Sequence, residues 1–529
     1  MNVRQSSAWL WALVLCAMLA ATQALLRPAT ADDPAGAPAA TEPAATEPAD
    51  TQPDAAPAES QTEPSDETQP ADESEPADEP KPEDGEAPES TGEKSDDAAS
   101  ELSDEEYYEL LRLFADTLDQ VDRNYVNKVS RRELIEAAIN GMVSKLDQYS
   151  DYIPPEEIDR FKGSVESEFG GIGIQVSVDG GELTVISPIV GSPAYRAGLA
   201  AGDKIVEIAG EPTKDITLDD AVKLMKGDVG TEVEIAVRHT NGEREEFSIK
   251  REIVRVQTVL GDQHTPDDAW NYMYDDERKI AYIRITSFAR HTTEELKEAL
   301  KKASDQGLKG LVLDLRFNPG GLLQSAIETS DLFVADGPIV STAGRNVPAH
   351  SWNAREDGKY EDFPMVVLVN RFSASASEIV SACLQDHERA KVIGERTWGK
   401  ASVQNIIDLE GGKSALKLTT AGYRRPNGKN IDRHAAEGTD EWGVRPDEGF
   451  EVKMSDEEVG QYLLFRRYRD IVRGDMPTPD EDTPPAFDDR ALAKAIEYLT
   501  QEVAPPTEEK KPAEEEKPAE AEQAADAGK

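Results

Sequence analysis

The chain has 529 residues, a net charge of −48 and only two cysteines, Cys16 and Cys383. That length admits two to four domains with ordinary cores. The acidic balance argues against nucleic acid as a partner, because phosphate contacts need clustered Lys and Arg. The six His and the two Cys show no metal-ligand spacing, so no metal and no cofactor is expected.

Residues 1–31 read as an export signal: Arg4, an apolar run over 9–26, and the small-residue site Ala29-Thr30-Ala31. This predicts a periplasmic or otherwise extracytoplasmic protein. The alternative is an uncleaved segment that tethers the chain to a membrane, since the apolar run is just long enough to span one. Cys16 lies within this signal, so the mature chain has no partner for an internal disulfide. Residues 32–100 are almost all Ala, Pro, Glu, Asp, Thr and Ser. Burial there cannot offset the entropy of ordering, which predicts a disordered acidic linker. Residues 481–529 read as a C-terminal helix followed by an acidic tail of the same kind.

Residues 101–165 read as an N-terminal helical region. Ser103 with Glu106 and Ser130 with Glu133 fit capping boxes that open two helices. A Tyr- and Pro-bearing segment then runs to Phe161. From 166 to 252 short strands and turns take over. Gly170-Gly171-Ile172-Gly173-Ile174 leads into an alternating run, and Asn241-Gly242 marks a hairpin turn. This stretch resembles a PDZ domain, through the Gly-Ile-Gly-Ile loop, the run SPAYRAGLAAGDKIVEIAG and the helix capped by Thr217. The resemblance implies that Gly171, Ile172, Gly173 and Ile174 bind a peptide's terminal carboxylate through converging backbone N–H groups. The peptide itself would add a strand to the sheet edge.

Residues 253–480 alternate strand and helix: strands at 280–285, 310–315, 365–369 and 391–394, helices at 293–303, 321–333 and 375–384. That order implies an α/β core with partly parallel pairing. The fold class is therefore a mixed α/β core of strands with flanking helices, a small mainly-β PDZ domain and an N-terminal helical region. Strand-like runs flank the turn 410–413, and helices are predicted at 457–471 and 490–502.

Ser375 follows a buried strand and opens a helix, beside unpaired N–H groups able to stabilise an oxyanion. Taken alone, the three serines Ser373, Ser375 and Ser377 also read as helix caps. Lys400 stands in a Gly-bounded turn within GERTWGKASVQ. With SASASEIVSACLQD and LDLRFNPGG, this block resembles the carboxyl-terminal processing proteases, a family of Ser–Lys peptidases. The resemblance implies an exported serine endopeptidase with Ser375 as nucleophile, Lys400 as general base and Gln404 in support. It further implies an oxyanion hole made by Ala376 and either Gly320 or Gly321. Substrates would be proteins or peptides with free C-termini, and an oligomer stays open. A lysine acts as base only when neutral, and desolvation lowers its pKa. Trp398, Val403 and Ile406 are expected to line the pocket, with Lys400, Ser402 and Gln404 on one strand face.

Three other readings fit the sequence less well. Gly394 to Lys400 nearly fits a phosphate-binding loop, but Ala401 lacks the metal-binding hydroxyl. A Ser-His-Asp hydrolase lacks its G-x-S-x-G elbow, and His387 lies about three turns along the helix. A catalytically inactive PDZ scaffold is disfavoured by the joint presence of Ser375, Lys400 and Gln404.

Overall fold

The computed structural model describes residues 102–355, 360–435, 440–472 and 487–503. The expected signal, acidic linker and acidic tail lie outside the described residues. Helix α1 (Asp104–Asn124) belongs to a different compact unit from the residues after Lys128. It begins where its sequence predicts: Ser103 Oγ accepts from the Glu106 N–H at 3.3 Å, and the Glu106 carboxylate accepts from the Ser103 N–H at 2.9 Å. Helix α2 (Arg131–Val143) is capped by Ser130, whose Oγ accepts from the Glu133 N–H at 3.5 Å. A short strand β1 (Asp151–Ile153) and helix α3 (Pro155–Glu166) follow.

After strand β2 (Glu168–Gly171) comes a small antiparallel sheet in the order β3 (Ile174–Asp179), β4 (Glu182–Pro188), β5 (Lys204–Ile208), β6 (Glu232–Arg238), β7 (Arg244–Lys250). Alternation drives its folding: Val233, Ile235 and Val237 point into one core with Leu183, Ile205 and Ile249. Helix α4 (Pro193–Ala197) and helix α5 (Leu218–Met225) complete this module, and α5 packs against β3. Strand β3 is an edge strand of this sheet.

The larger core is a sheet in which four adjacent strands run parallel: β8 (Ile280–Ile285), β9 (Gly310–Asp314), β10 (Met365–Val369) and β11 (Lys391–Gly394). Every residue of β8, β9 and β10 is buried. Such buried runs, apolar but for Arg284 and Asp314, are what a parallel sheet covered on both faces requires. Helices α6 (Thr292–Asp305), α7 (Leu323–Asp331) and α8 (Ala376–Asp386) cover one face. The other is covered by the last helix, where Leu492, Ala495 and Leu499 pack on Tyr282, Val312 and Val366. Burying each leucine there contributes about 1.5–3 kcal/mol.

A second, antiparallel sheet stands beside this core. It contains β12 (Pro338–Gly344), β13 (Val347–Asn353), β14 (Ser402–Leu409) and β15 (Ser414–Arg424), with β1 also paired to β15. The β14–β15 hairpin realises the runs expected around 410–413. The β12–β13 hairpin was not expected. Most of β13 is exposed and lacks an apolar alternation, so no period-two signal marks it. Helices α9 (Asp456–Asp470) and α10 (Arg490–Val503) close the chain that is described. The mixed α/β core with a small β module agrees with the expected fold class.

Candidate active site

Three successive parallel strands, β9, β10 and β11, end at the same sheet edge. The loops that follow them carry Gly320, Ser375 and Lys400, so residues 80 positions apart converge because parallel strands share a C-terminal edge. Ser375 is the residue before α8 and adopts φ 55° and ψ −113°. A non-glycine residue in that region is strained by about 1–3 kcal/mol and persists only where its surroundings enforce it.

The serines two places to either side supply that enforcement. Ser373 Oγ donates to Leu315 O at 2.8 Å, and Ser377 Oγ donates to Asn318 O at 2.9 Å. Both side chains are fully buried. This is a sharp strand-to-helix elbow built without G-x-S-x-G: two small serines occupy the positions where that pattern has glycines. Sequence reading took Ser375 as the nucleophile and offered helix caps only as the alternative for the three serines, so it gave Ser373 and Ser377 no part in holding the elbow.

Gly320 packs directly on the elbow. A Cβ placed on it would lie 2.7 Å from Ala374 O and 2.8 Å from Ser375 Cβ, at φ +104°. Its own N–H donates to Asn318 Oδ1 at 2.9 Å. Gly321 sits in a bridge to Phe288 whose bonds come from its neighbours: Phe288 N–H to Gly320 O, and Leu322 N–H to Phe288 O. The Gly321 N–H therefore points away from Phe288. On the helix side, Ser377 and Glu378 N–H are spent on Ala374 O and Ser375 O, which leaves the Ala376 N–H ahead of them. The loop before Gly320 is braced by a buried cation: Arg316 donates to Asp314 and, at 2.8 Å from each terminal nitrogen, to Asp489.

Two side chains tie the Ser375 and Lys400 backbones together. One oxygen of Glu378 accepts both the Ser375 and the Lys400 N–H at 2.9 Å. Its other oxygen accepts the Gly399 N–H at 2.7 Å and the Thr397 hydroxyl at 2.5 Å. The Tyr423 hydroxyl lies 2.6 Å from Lys400 O and 3.1 Å from Ser375 O, one proton facing two carbonyls. Burial pushes the Glu378 carboxyl up to about 7, against the pull of its four donors. Burial, helped by the Lys417 charge, brings the Lys400 amine down to about 8, while Glu378 and Asp147 oppose that fall.

Two expectations for this pocket need correction. Ile406 is 44% exposed, so it is no wall of a dry pocket. Lys400 precedes β14 rather than lying in it, and a bulge falls between Val403 and Gln404, which breaks simple alternation. Gln404 and Ser402 do meet: the Gln404 amide donates to Ser402 Oγ at 2.9 Å and to Thr419 Oγ1 at 3.1 Å. Val403 packs against the main core. His387, at the far end of α8, bonds Pro338 O at 2.8 Å, well away from the elbow. Cys383 is buried, which pushes its thiol up to about 12.

In the β module, Gly171 ends β2, Ile172 is buried, Gly173 takes φ +80° and Ile174 opens the edge strand β3. A Cβ on Gly173 would fall 2.3 Å from Ser192 Cβ, so only glycine fits there. The four residues thus link the end of β2 to the start of the edge strand β3.

Residues 279–449 match peptidase family S41, residues 184–239 a PDZ domain, and residues 78–157 the N-terminal domain of the activating protease CtpB. A carboxy-terminal-processing protease of Bartonella bacilliformis is 35% identical over 413 residues, spanning 75% of this chain and 89% of that protein. The chain belongs to peptidase family S41. The carboxy-terminal processing protease CtpA of Bacillus subtilis is 35% identical over 317 residues, 60% of this chain and 65% of that protein. Among solved structures, the photosystem II D1 C-terminal processing protease aligns with 28% identity and a TM-score of 0.36, covering 65% of this chain and 92% of that one.

Within this S41 peptidase, Glu378, Tyr423, Arg316 and Asp489 are the site residues that sequence reasoning missed. Glu378 stood inside the quoted motif three places after Ser375, a capping position, and that was the available signal. Tyr423 and Asp489 had none, since their partners lie far away in sequence.

Proposed function

We propose that this chain is an exported serine endopeptidase that cleaves proteins at or near their C-terminal region. Ser375 is the nucleophile and Lys400 the general base, and the substrate's C-terminus docks in the PDZ turn at Gly171, Ile172, Gly173 and Ile174. The observation that carries this reading is the shared clamp: one carboxylate oxygen and one hydroxyl hold the Ser375 and Lys400 backbones side by side. The lowered pKa of the amine supports it, because neutral lysine is then available near neutral pH.

In this mechanism the neutral Lys400 amine takes the Ser375 proton as Oγ attacks the scissile carbonyl. The oxyanion accepts hydrogen bonds from the Ala376 N–H and, since the Gly320 N–H is spent on Asn318, from the Gly321 N–H. The Lys400 ammonium then protonates the leaving amine, and water hydrolyses the acyl-enzyme by the reverse sequence. Gln404 orients the amine through its amide oxygen, its nitrogen being committed to Ser402 and Thr419. A neutral amide does this without adding charge that would favour protonation.

Mass spectrometry of proteins incubated with wild type and with Ser375→Ala tests the reading. New termini should form with wild type alone, and equal cleavage by Ser375→Ala would reject it. Amidating a substrate's C-terminus should weaken cleavage; equal rates for amide and free acid would reject PDZ docking.

A further inference from the structure

The Lys400 amine is roofed by a residue that lies before the PDZ module in the chain. Its Nζ sits 4.6 Å from the centroid of the Tyr149 ring. Tyr149 is only 9% exposed, and it is locked in place from three directions. Asp147 accepts the Tyr149 N–H at 2.6 Å and the Ser150 N–H at 2.8 Å, which makes a tight turn. Ser150 Oγ donates to Asp147 at 2.8 Å and accepts the Thr419 N–H at 3.0 Å, fastening that turn to β15. The Trp398 indole N–H points at the Tyr149 hydroxyl at 3.4 Å. Strand β1, which follows at once, pairs with β15 and holds the arm in register.

We propose that Tyr149 is a positioning residue of the active site: its ring covers the Lys400 amine and excludes water from it, so that the arm before β1 and the protease core build the base together. This rests on Lys400 being the base. The ring acts in two opposed ways. Its electron-rich face favours an ammonium. Its bulk removes water, which disfavours the charge by a larger amount where burial is deep. Three charged groups face the amine from the surrounding elements: Lys417 on β15, Glu378 on α8 and Asp147 in the Tyr149 turn. The two carboxylates oppose deprotonation and Lys417 favours it, so exclusion of water is the effect that decides the balance.

Two replacements of similar size separate cover from chemistry. Tyr149→Leu keeps an apolar roof without the aromatic face, whereas Tyr149→Gln brings a polar group that recruits water. The assay is kcat/KM against pH, from about 7 to about 10, on a quenched-fluorescence peptide with a free C-terminal carboxylate. Tyr149→Gln should move the acid limb upward by about one unit, lowering the rate at pH 8 about fivefold and recovering it near pH 10. Tyr149→Leu should leave the limb where it is or move it slightly down. Recovery at high pH shows a folded enzyme, which a merely structural defect does not give. Limbs that coincide for wild type, Leu and Gln, or that shift equally for both variants, overturn the proposal. A Lys400→Ala control keeps the two ideas apart: if it still cleaves the peptide, the Ser–Lys reading fails instead.

Discussion

Replacing Glu378 by glutamine exchanges one of its acceptor oxygens for a donor in a fully buried position. The carboxylate accepts four hydrogen bonds, two on each oxygen. If the new amide nitrogen takes the site shared by Ser375 and Lys400, two N–H groups lose their acceptor. If it takes the other site, it can donate to Thr397 Oγ1, and only the Gly399 N–H is stranded. The second orientation costs less, about 1–3 kcal/mol for one buried unsatisfied donor. It also keeps both N–H groups on one oxygen, so cleavage should fall by about tenfold rather than vanish. Glu378→Ala strands three N–H groups and should cost at least twice as much stability as Glu378→Gln.

A pH signature accompanies this. The folded carboxyl is raised to about 7 by burial from an ordinary 4.5, so the folded state holds the proton more tightly than the unfolded chain. Wild-type stability from this group is therefore full below pH 4.5 and is lost as pH rises through 7, whereas glutamine has no such slope. Urea denaturation at about pH 5 and about pH 8 should show the wild-type advantage over Glu378→Gln shrinking at the higher pH. Equal stability at both pH values, together with unchanged kcat/KM, would show that the clamp holds nothing.

Other substitutions probe the remaining parts. Lys400→Met should abolish cleavage yet stabilise the fold at neutral pH. The folded amine is lowered to about 8 from 10.5 by burial, so its penalty is full below pH 8 and gone above 10.5. A gain on the order of 3 kcal/mol at pH 7, shrinking toward pH 10, is expected in urea denaturation; a loss at pH 7 contradicts the desolvation argument. Gly320→Ala places a methyl within 2.8 Å of the Ser375 Cβ and 2.7 Å of Ala374 O. Peptide hydrolysis should drop at least about a hundredfold, with stability lower by about 1–3 kcal/mol; wild-type kinetics would mean that the glycine loop does not abut the elbow. Asp489→Asn leaves Arg316 with one charged partner instead of two, so about 2–4 kcal/mol of stability should be lost by denaturation. Since Arg316 lies just ahead of the Gly320 turn, kcat should fall with it, and an unaltered kcat would separate that ion pair from catalysis.

Local signals carried much of the architecture. The mainly buried runs 280–285, 365–369 and 391–394 became parallel strands with those bounds, because a strand covered on both faces is mostly apolar. Ser103 and Ser130 start helices where a side-chain oxygen can cap free N–H groups. Ser375, Lys400 and the glycine turns came from their motifs. What needed the folded chain was every relation between distant segments: the strained elbow pinned to the 315–318 loop, Glu378 and Tyr423 bridging two loops, Asp489 reaching Arg316, and Tyr149 over the amine. None of these leaves a periodicity or a capping pattern, since each depends on which strand lies beside which. Sequence by itself marked most of the elements and the motifs they carry; the shared edge of the parallel sheet, which no single segment encodes, decided that the backbones of those motifs meet at one place.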